Sequence, residues 1–353
     1  MPEQRPGNRP TLEAVATHAG VSRATVSRVV NGGDGVRAHL VDKVREAVRD
    51  LGYVPNPAAR TLVTRRTGAV AVIIAEPETR IFSDPFFSRQ LRGISKELTA
   101  HDTQLVLLLV EDRGDYERIE RYLAGGHVDG ALAFSLHTDD PLPAITRRIG
   151  MPTVYGGRPG WTDGSGEPTE SDRPGGAAYV DADNRGGARE AVRYLVSRGR
   201  ERIAHIAGPL DQTSAVDRLS GFRDVLPGAD PALVAEGDFT VAGGARAMGE
   251  LLDRCPDIDA VFAANDLMAT GALRVLRERG RAVPAEVALV GFDDAEAVAE
   301  SADPPLTTVR QDIEGMGRLM ARLLLETLGG GPEGRAAPRS VVTTTSLVRR
   351  ASA

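Results

Sequence analysis

Two groups of residues in this 353-residue chain have types and spacings suited to molecular recognition. The first lies in GVSRATVSRVVNG, residues 20–32. Val26, Val29 and Val30 are spaced to share one buried helical face, which turns Arg23, Ala24, Ser27 and Arg28 outward. A guanidinium on such a face can pair bidentately with the edge of a guanine in a major groove. The second group stands further along, where apolar runs end. Asp293, directly after VALVGF, can accept two hydroxyl hydrogen bonds, and Arg218 in AVDRLSGF can donate several, so the pair could hold vicinal hydroxyls. Phe239 offers a ring on which an apolar sugar face could stack. The structural alternatives are a helix cap for Asp293 and core packing for Phe239.

Catalytic constellations are not found. Gly329, Gly331 and Gly334 satisfy G-x-G-x-x-G, but they follow a helical pattern from Ile313 to Leu328 instead of opening one, and read as its C-terminal stop. DADN at 181–184 lacks the glycine turn and distal ligand of a metal loop; a strand end followed by a helix cap fits it better. Six histidines are scattered without metal spacing, and Ser165 has no nucleophile-elbow context. Cys255 is the single cysteine and reads as the end of a helix. No enzyme activity, cofactor or metal is expected.

The elements that must carry the first group are short. Leu12, Val15, Ala16 and Ala19 form one apolar stripe, with Thr11 as N-cap and Gly20 as stop. Ser22 can cap the next helix, which ends at Asn31-Gly32-Gly33. The turn between them is too short for anything but a helix-turn-helix. A third stripe, Leu40, Val44, Ala47, Val48 and Leu51, closes at Gly52; its N-terminus has Arg37 where a Ser or Thr cap is usual. Residues 1–66 hold 11 Lys and Arg against 6 Asp and Glu, the remainder 32 against 43, so a head of net +5 is joined to a body of −11. That asymmetry suits a polyanion-binding module on an acidic domain.

Through TLEAVATHAGVSRATVSRVVN, LGYVPNPAARTL, VDADNRGGAR, FAANDLMATGAL, VALVGFDD and PPLTTVRQD the chain closely resembles the lactose-repressor/galactose-repressor (LacI/GalR) family over nearly its whole length. The resemblance implies a sequence-specific transcriptional regulator, most simply a repressor of carbohydrate genes, acting as a homodimer on double-stranded, pseudo-palindromic operator DNA and switched by a small sugar or sugar derivative. A purine- or nucleoside-type effector is the alternative. It assigns base-edge contacts to Arg23, Ala24 and Arg28, and phosphate or helix-supporting places to Ser22, Thr25, Ser27 and Asn31. Asn56 can cap a short helix with Pro57 at its first position; the resemblance makes this the hinge helix, with Ala59 permitting close pairing and Leu62 a minor-groove wedge.

From Thr67 onward AVAVIIA, LVLLLV, DGALAF, PTVY, RIAHIA, DAVFAA and VALVGF alternate with amphipathic segments, the pattern of an α/β body with parallel sheets. The resemblance makes it a periplasmic-binding-protein-like pair of lobes around an effector cleft. The expected organisation is a disordered tail over 1–10, a helix-turn-helix head over 11–55, a hinge over 56–66 and the body over 67–353. The first lobe is expected at about 67–178 and 311–329, the second at about 179–310 and 330–350. Arg218, Phe239 and Asp293 match effector-contacting positions of the family, as do Asn265 in FAANDLM and Phe86 in DPFFSRQLRGI, with Arg158 in YGGRP a further candidate. Residues 161–176 read as a surface insertion whose Trp161 could close over the cleft. No run approaches a membrane span and the start has no secretory profile, so a cytoplasmic protein without a membrane partner is expected.

Overall fold

The computed structural model describes residues 10–30, 35–54, 66–158, 160, 177–329 and 339–353, and divides into two units, 1–67 and 68–353. The first unit holds α1 (Leu12–Ala19), α2 (Arg23–Val30) and α3 (Ala38–Leu51). The Thr11 side chain accepts from the Ala14 N–H, and Gly20 ends α1 at φ 63°, a left-handed conformation that costs a glycine little. Arg37 makes no side-chain cap to α3. Val15, Ala16, Ala19, Val26, Val44, Ala47 and Tyr53 form the small core.

The second unit opens with β1 (Ala69–Ile74), α4 (Glu78–Ser83), α5 (Pro85–Ala100), β2 (Gln104–Leu109), α6 (Arg113–Ala124), β3 (Gly130–Phe134), α7 (Leu142–Arg148), β4 (Thr153–Gly156) and β5 (Ala178–Ala182). It continues through α8 (Asn184–Ser197), β6 (Ile203–Ala207), α9 (Thr213–Val225), β7 (Val234–Glu236), α10 (Val241–Arg254), β8 (Ala260–Ala263), α11 (Asp266–Glu278) and β9 (Ala288–Asp293). The last elements are α12 (Glu296–Ala299), β10 (Thr307–Gln311), α13 (Ile313–Gly329), β11 (Ser340–Thr343) and β12 (Thr345–Val348).

Two six-stranded sheets result, ordered β11-β5-β4-β3-β1-β2 and β12-β10-β9-β8-β6-β7. All pairs are parallel except β10 with β12. Because helices cover both faces, the strands are apolar runs. Along β1, Val70, Val72 and Ile74 enter one core while Ala71 and Ile73 enter the other. Helix α13 returns to the first lobe and packs on α5. A Cβ on Gly93 would lie 2.0 Å from the Glu314 carbonyl oxygen, and one on Gly317 would lie 2.3 Å from that of Gln90, so the two backbones touch only because both positions are glycine.

Two lobe boundaries differ from the sequence expectation. Residues 179–182, assigned to the second lobe, lie in β5, which pairs with β4 and completes the first sheet; the crossing follows it, at Asp183. Residues 340–343, also assigned to the second lobe, form β11 and pair with β5 in the first. Only β12 joins the second sheet. The strand AYVDA is only five residues long, carries an aspartate and follows a Gly/Pro-rich stretch, so its sequence carries little strand periodicity, and pairing with β4 decides its lobe.

Candidate functional site

In the first unit, Ser22 caps α2: its Oγ accepts from the Thr25 N–H at 3.1 Å and lies 2.8 Å from Thr25 Oγ1. Val26 is buried against α1 and α3, which fixes the helix roll. Ser22, Arg23, Ala24 and Arg28 are consequently exposed, and Thr25 and Ser27 are half-buried. Arg23 pairs with Glu13 at 3.1 Å; both side chains are exposed, and such a pair is worth so little that a nucleic acid could displace it.

In the second unit a cleft of about 730 Å³, its open mouth included, lies at the carboxyl ends of both sheets. Loops and helix N-termini converge there, as ligand sites in parallel sheets require. The second lobe supplies Arg218 from α9, which is 5% exposed. Its Nε donates to Asn184 Oδ1 at 2.9 Å, Nη1 donates to the Ala264 carbonyl, and the guanidinium stacks 3.8 Å from the Phe292 ring centroid. Nη2 is left toward Asp293, 3.5 Å away. Asp293 Oδ1 also accepts from Gln311 Nε2 at 2.6 Å. The pair is therefore held in place before any ligand arrives. Burial pushes the Asp293 carboxyl up while Arg218 and Gln311 oppose it; the same burial works against the arginine's charge, which Asp293 and Asp181 support.

Phe239 lines the cleft with the Arg80 and Arg218 guanidiniums 5.3 and 5.8 Å from its ring centroid. Its ring occupies the space a Cβ on Gly208 would need. Asn265 caps α11 by accepting from the Met268 N–H at 2.8 Å and donates to the Phe239 carbonyl at 2.9 Å, so it holds Phe239 as well as lining the cleft. Phe239, Asp293, Asp294 and Ser135 all have positive φ, at 62°, 101°, 46° and 60°. Such backbone strain persists only where surroundings enforce it, and apart from Asp102, in the turn before β2, the described non-glycine residues with positive φ lie at or beside the cleft.

The first lobe presents Phe86 on α5, in edge contact with Phe87 and Phe134, together with Gln90 and Met316. Asp84 caps α5 through the Phe86 N–H. Burial, and then the facing charge of Asp293, push its carboxyl up to about 6. The lobes are also bonded to each other. Arg89 reaches the carbonyls of Asp293 and Asp294 at 3.3 and 3.0 Å, and Arg158 forms a two-point ion pair with Asp217 at 3.2 and 2.8 Å.

Residues 11–56 match the family described as bacterial regulatory proteins, lacI family, and residues 192–353 match a periplasmic binding protein-like domain. The HTH-type transcriptional regulator CelR of Thermobifida fusca is 51% identical over 326 residues, which cover 91% of this chain and 93% of that protein. This chain belongs to the LacI family of DNA-binding transcriptional regulators. Among solved structures, a transcriptional regulator CelR–cellobiose complex has 47% identity and a TM-score of 0.75, covering 98% of this chain and all of that one. A lac repressor dimer bound to operator and an anti-inducer has 27% identity and a TM-score of 0.81, with 98% and 99% covered.

Of the effector residues expected in this LacI-family regulator, Phe86, Arg218, Phe239, Asn265 and Asp293 come together around the cleft. Arg158 is not in its wall; its guanidinium is turned to Asp217, and its N–H to Asp181. Asn31, Asn56, Ala59 and Leu62, with the 161–176 segment, Gly331 and Gly334, lie outside the described residues. Sequence reasoning missed Arg80, Asp84, Gln90, Asp181, Gln212 and Gln311. Asp84 had a legible signal, an Asp-Pro pair opening a helix. Gln90 had none, because a glutamine within an amphipathic helix reads as surface, whereas it is 1% exposed.

Proposed function

We propose that this LacI-family regulator binds a pseudo-palindromic operator as a cytoplasmic homodimer through the Ser22–Arg28 face, and that a small neutral saccharide in the interlobe cleft switches that affinity. The observation that carries the ligand class is the constellation of Arg218 and Asp293, locked by Asn184, Gln311 and Phe292, opposite Asp84 and the ring of Phe86. Acceptors and donors fixed in place, with aromatic faces on both sides, suit hydroxyl groups on an apolar ring. Three carboxylates, Asp84, Asp181 and Asp293, face the two guanidiniums of Arg80 and Arg218, so the wall lacks the excess of positive charge that a phosphorylated sugar needs. The cellobiose complex of the 47% identical regulator supports a disaccharide of two β-linked glucose units as the effector. Calorimetry with cellobiose, glucose, glucose 6-phosphate and adenosine, beside operator binding on the same sample, tests this. The expected result is binding of cellobiose with a change in operator affinity and no binding of the phosphate. Tight binding of the phosphate or of adenosine would overturn the reading.

A further inference from the structure

One end of the cleft is closed by a wall two side chains thick. Gln212, just before α9, lines the cleft, and its Nε2 donates to Glu76 Oε1 at 2.8 Å. Glu76 stands beyond the end of β1 and is 4% exposed; Ser135 Oγ donates to the same oxygen at 2.6 Å, and Arg80 is ion-paired with it. His137, beyond β3, has Nδ1 2.7 Å from Asp211 Oδ2 and Nε2 3.7 Å from Glu76 Oε1. The Thr138 N–H donates to the Asp211 carbonyl at 2.8 Å. Glu76 and His137 belong to the first lobe and Asp211 and Gln212 to the second, so the wall is also a bridge. On its far side Glu76 and His137 face a second groove of about 1400 Å³, open mouth included. Tyr116, Glu111, Asp112, Asp139 and Asp140 are among the residues that line it.

We propose that this bridge selects effector length: a saccharide short enough for the closed cleft leaves it intact, whereas one with further rings must break it to run on into the groove. The inference rests on the saccharide reading above. The geometry supports it in three ways. Side chains bonded to one another end one space and begin the next, Gln212 on the cleft side and Glu76 on the groove side; the bond broken joins the two lobes; and the carboxylates beyond are hydroxyl acceptors, like those of the cleft, once the way is open.

His137 is faced by Glu76 from the end of β1, with Arg80 of α4 behind it, and by Asp211 from the segment before α9. Asp139 and Asp140 follow it in sequence, and Tyr116 of α6 bonds Asp140 at 2.9 Å. The nearby Glu76 carboxylate, against burial and with Asp211 adding, pushes the imidazole up to about 9. Burial alone would raise Glu76, but the nearby His137, the charge of Arg80 and bonds from Ser135 and Gln212 hold it below its ordinary value. The charged bridge is therefore complete at neutral pH and is lost as pH rises through about 9.

The test is calorimetry of the full chain with β-1,4-linked glucose oligomers of two, three and four units, on wild type, His137→Ala and Asp211→Ala. Wild type should prefer the shortest. In both variants the ratio of tetramer to dimer affinity should move roughly tenfold toward the longer ligand, the worth of one hydrogen bond to a charged group. Wild-type discrimination should relax between pH 8 and 10, and that of His137→Ala should not change there. Unaltered ratios in both variants, or a wild type indifferent to length, would overturn the bridge as a length filter. A wild type that binds no member of the series would instead overturn the cellobiose-type reading, and the length proposal with it.

Discussion

The proposed DNA-reading face and the proposed effector cleft are built in opposite ways. On the head, Arg23, Ala24 and Arg28 are exposed above a core of small residues, and the pair Arg23–Glu13 is open to solvent. In the body, Arg218 and Asp293 are 5% and 7% exposed and bonded on several sides, and their neighbours sit on strained backbone. A polyanion brings its own field and needs only an accessible charge. A neutral polyol brings none, so its site must be dry and organised beforehand. It follows that function and stability are separable on the head and entangled in the cleft.

Arg218→Ala should break that entanglement most visibly. Removing the cation leaves Asp293 buried without it, at a cost of about 3 to 5 kcal/mol to the body. Effector heat should vanish in calorimetry, and the body's melting transition should fall in a thermal scan. A variant that melts like wild type would show that the guanidinium is not the clamp its contacts describe.

The second test uses pH. Asp84, raised from 3.8 to about 6 by burial and by Asp293, costs stability when ionised; as pH falls through 6 the folded state takes up the proton first, and this cost is relieved by about pH 4. His205 runs the other way. It is buried between Phe222 and Phe262 and pushed down to about 4, so stability is lost as pH falls from 6.5 toward 4, when the unfolded chain is protonated and the native one is not. Each shift corresponds to about 3 kcal/mol. Asp84→Asn should therefore steepen the acid loss of stability by about that amount between pH 6.5 and 4, and His205→Gln should flatten it, as followed by urea unfolding. Parallel curves for Asp84→Asn and wild type would mean that burial and the charge of Asp293 do not raise the Asp84 carboxyl.

On the head the expected change is smaller and purely functional. Arg28→Ala should cost about 1 to 3 kcal/mol on operator DNA and much less on random DNA, with an unchanged melting profile. Wild-type DNA affinity should also fall steeply with salt while effector affinity stays nearly flat. Equal losses on both DNAs would reduce Arg28 to a phosphate contact, and a lowered melting temperature would deny the separation of function from stability.

The residues of the sequence decided what depends on local spacing. Turn glycine, serine cap and valine stripe lie within about ten positions of one another, so the roll of α2 and the exposure of Arg23 and Arg28 follow from helical periodicity alone. Asp293 was legible because it stands where an apolar run ends, whereas Arg218 lies inside α9 and was marked by the family resemblance. Tertiary structure decided what depends on pairing over long separations. Whether AYVDA closes the first sheet or opens the second is set by β4 and β11, which lie before and far after it in the chain. Gln90 and Glu76 look like surface residues in sequence and are buried because α13 and the second lobe cover them. The turning of Arg158 to Asp217 and the meeting of His137 with Asp211, 74 residues away, likewise exist only once two lobes stand face to face. No local pattern of residue types encodes that approach.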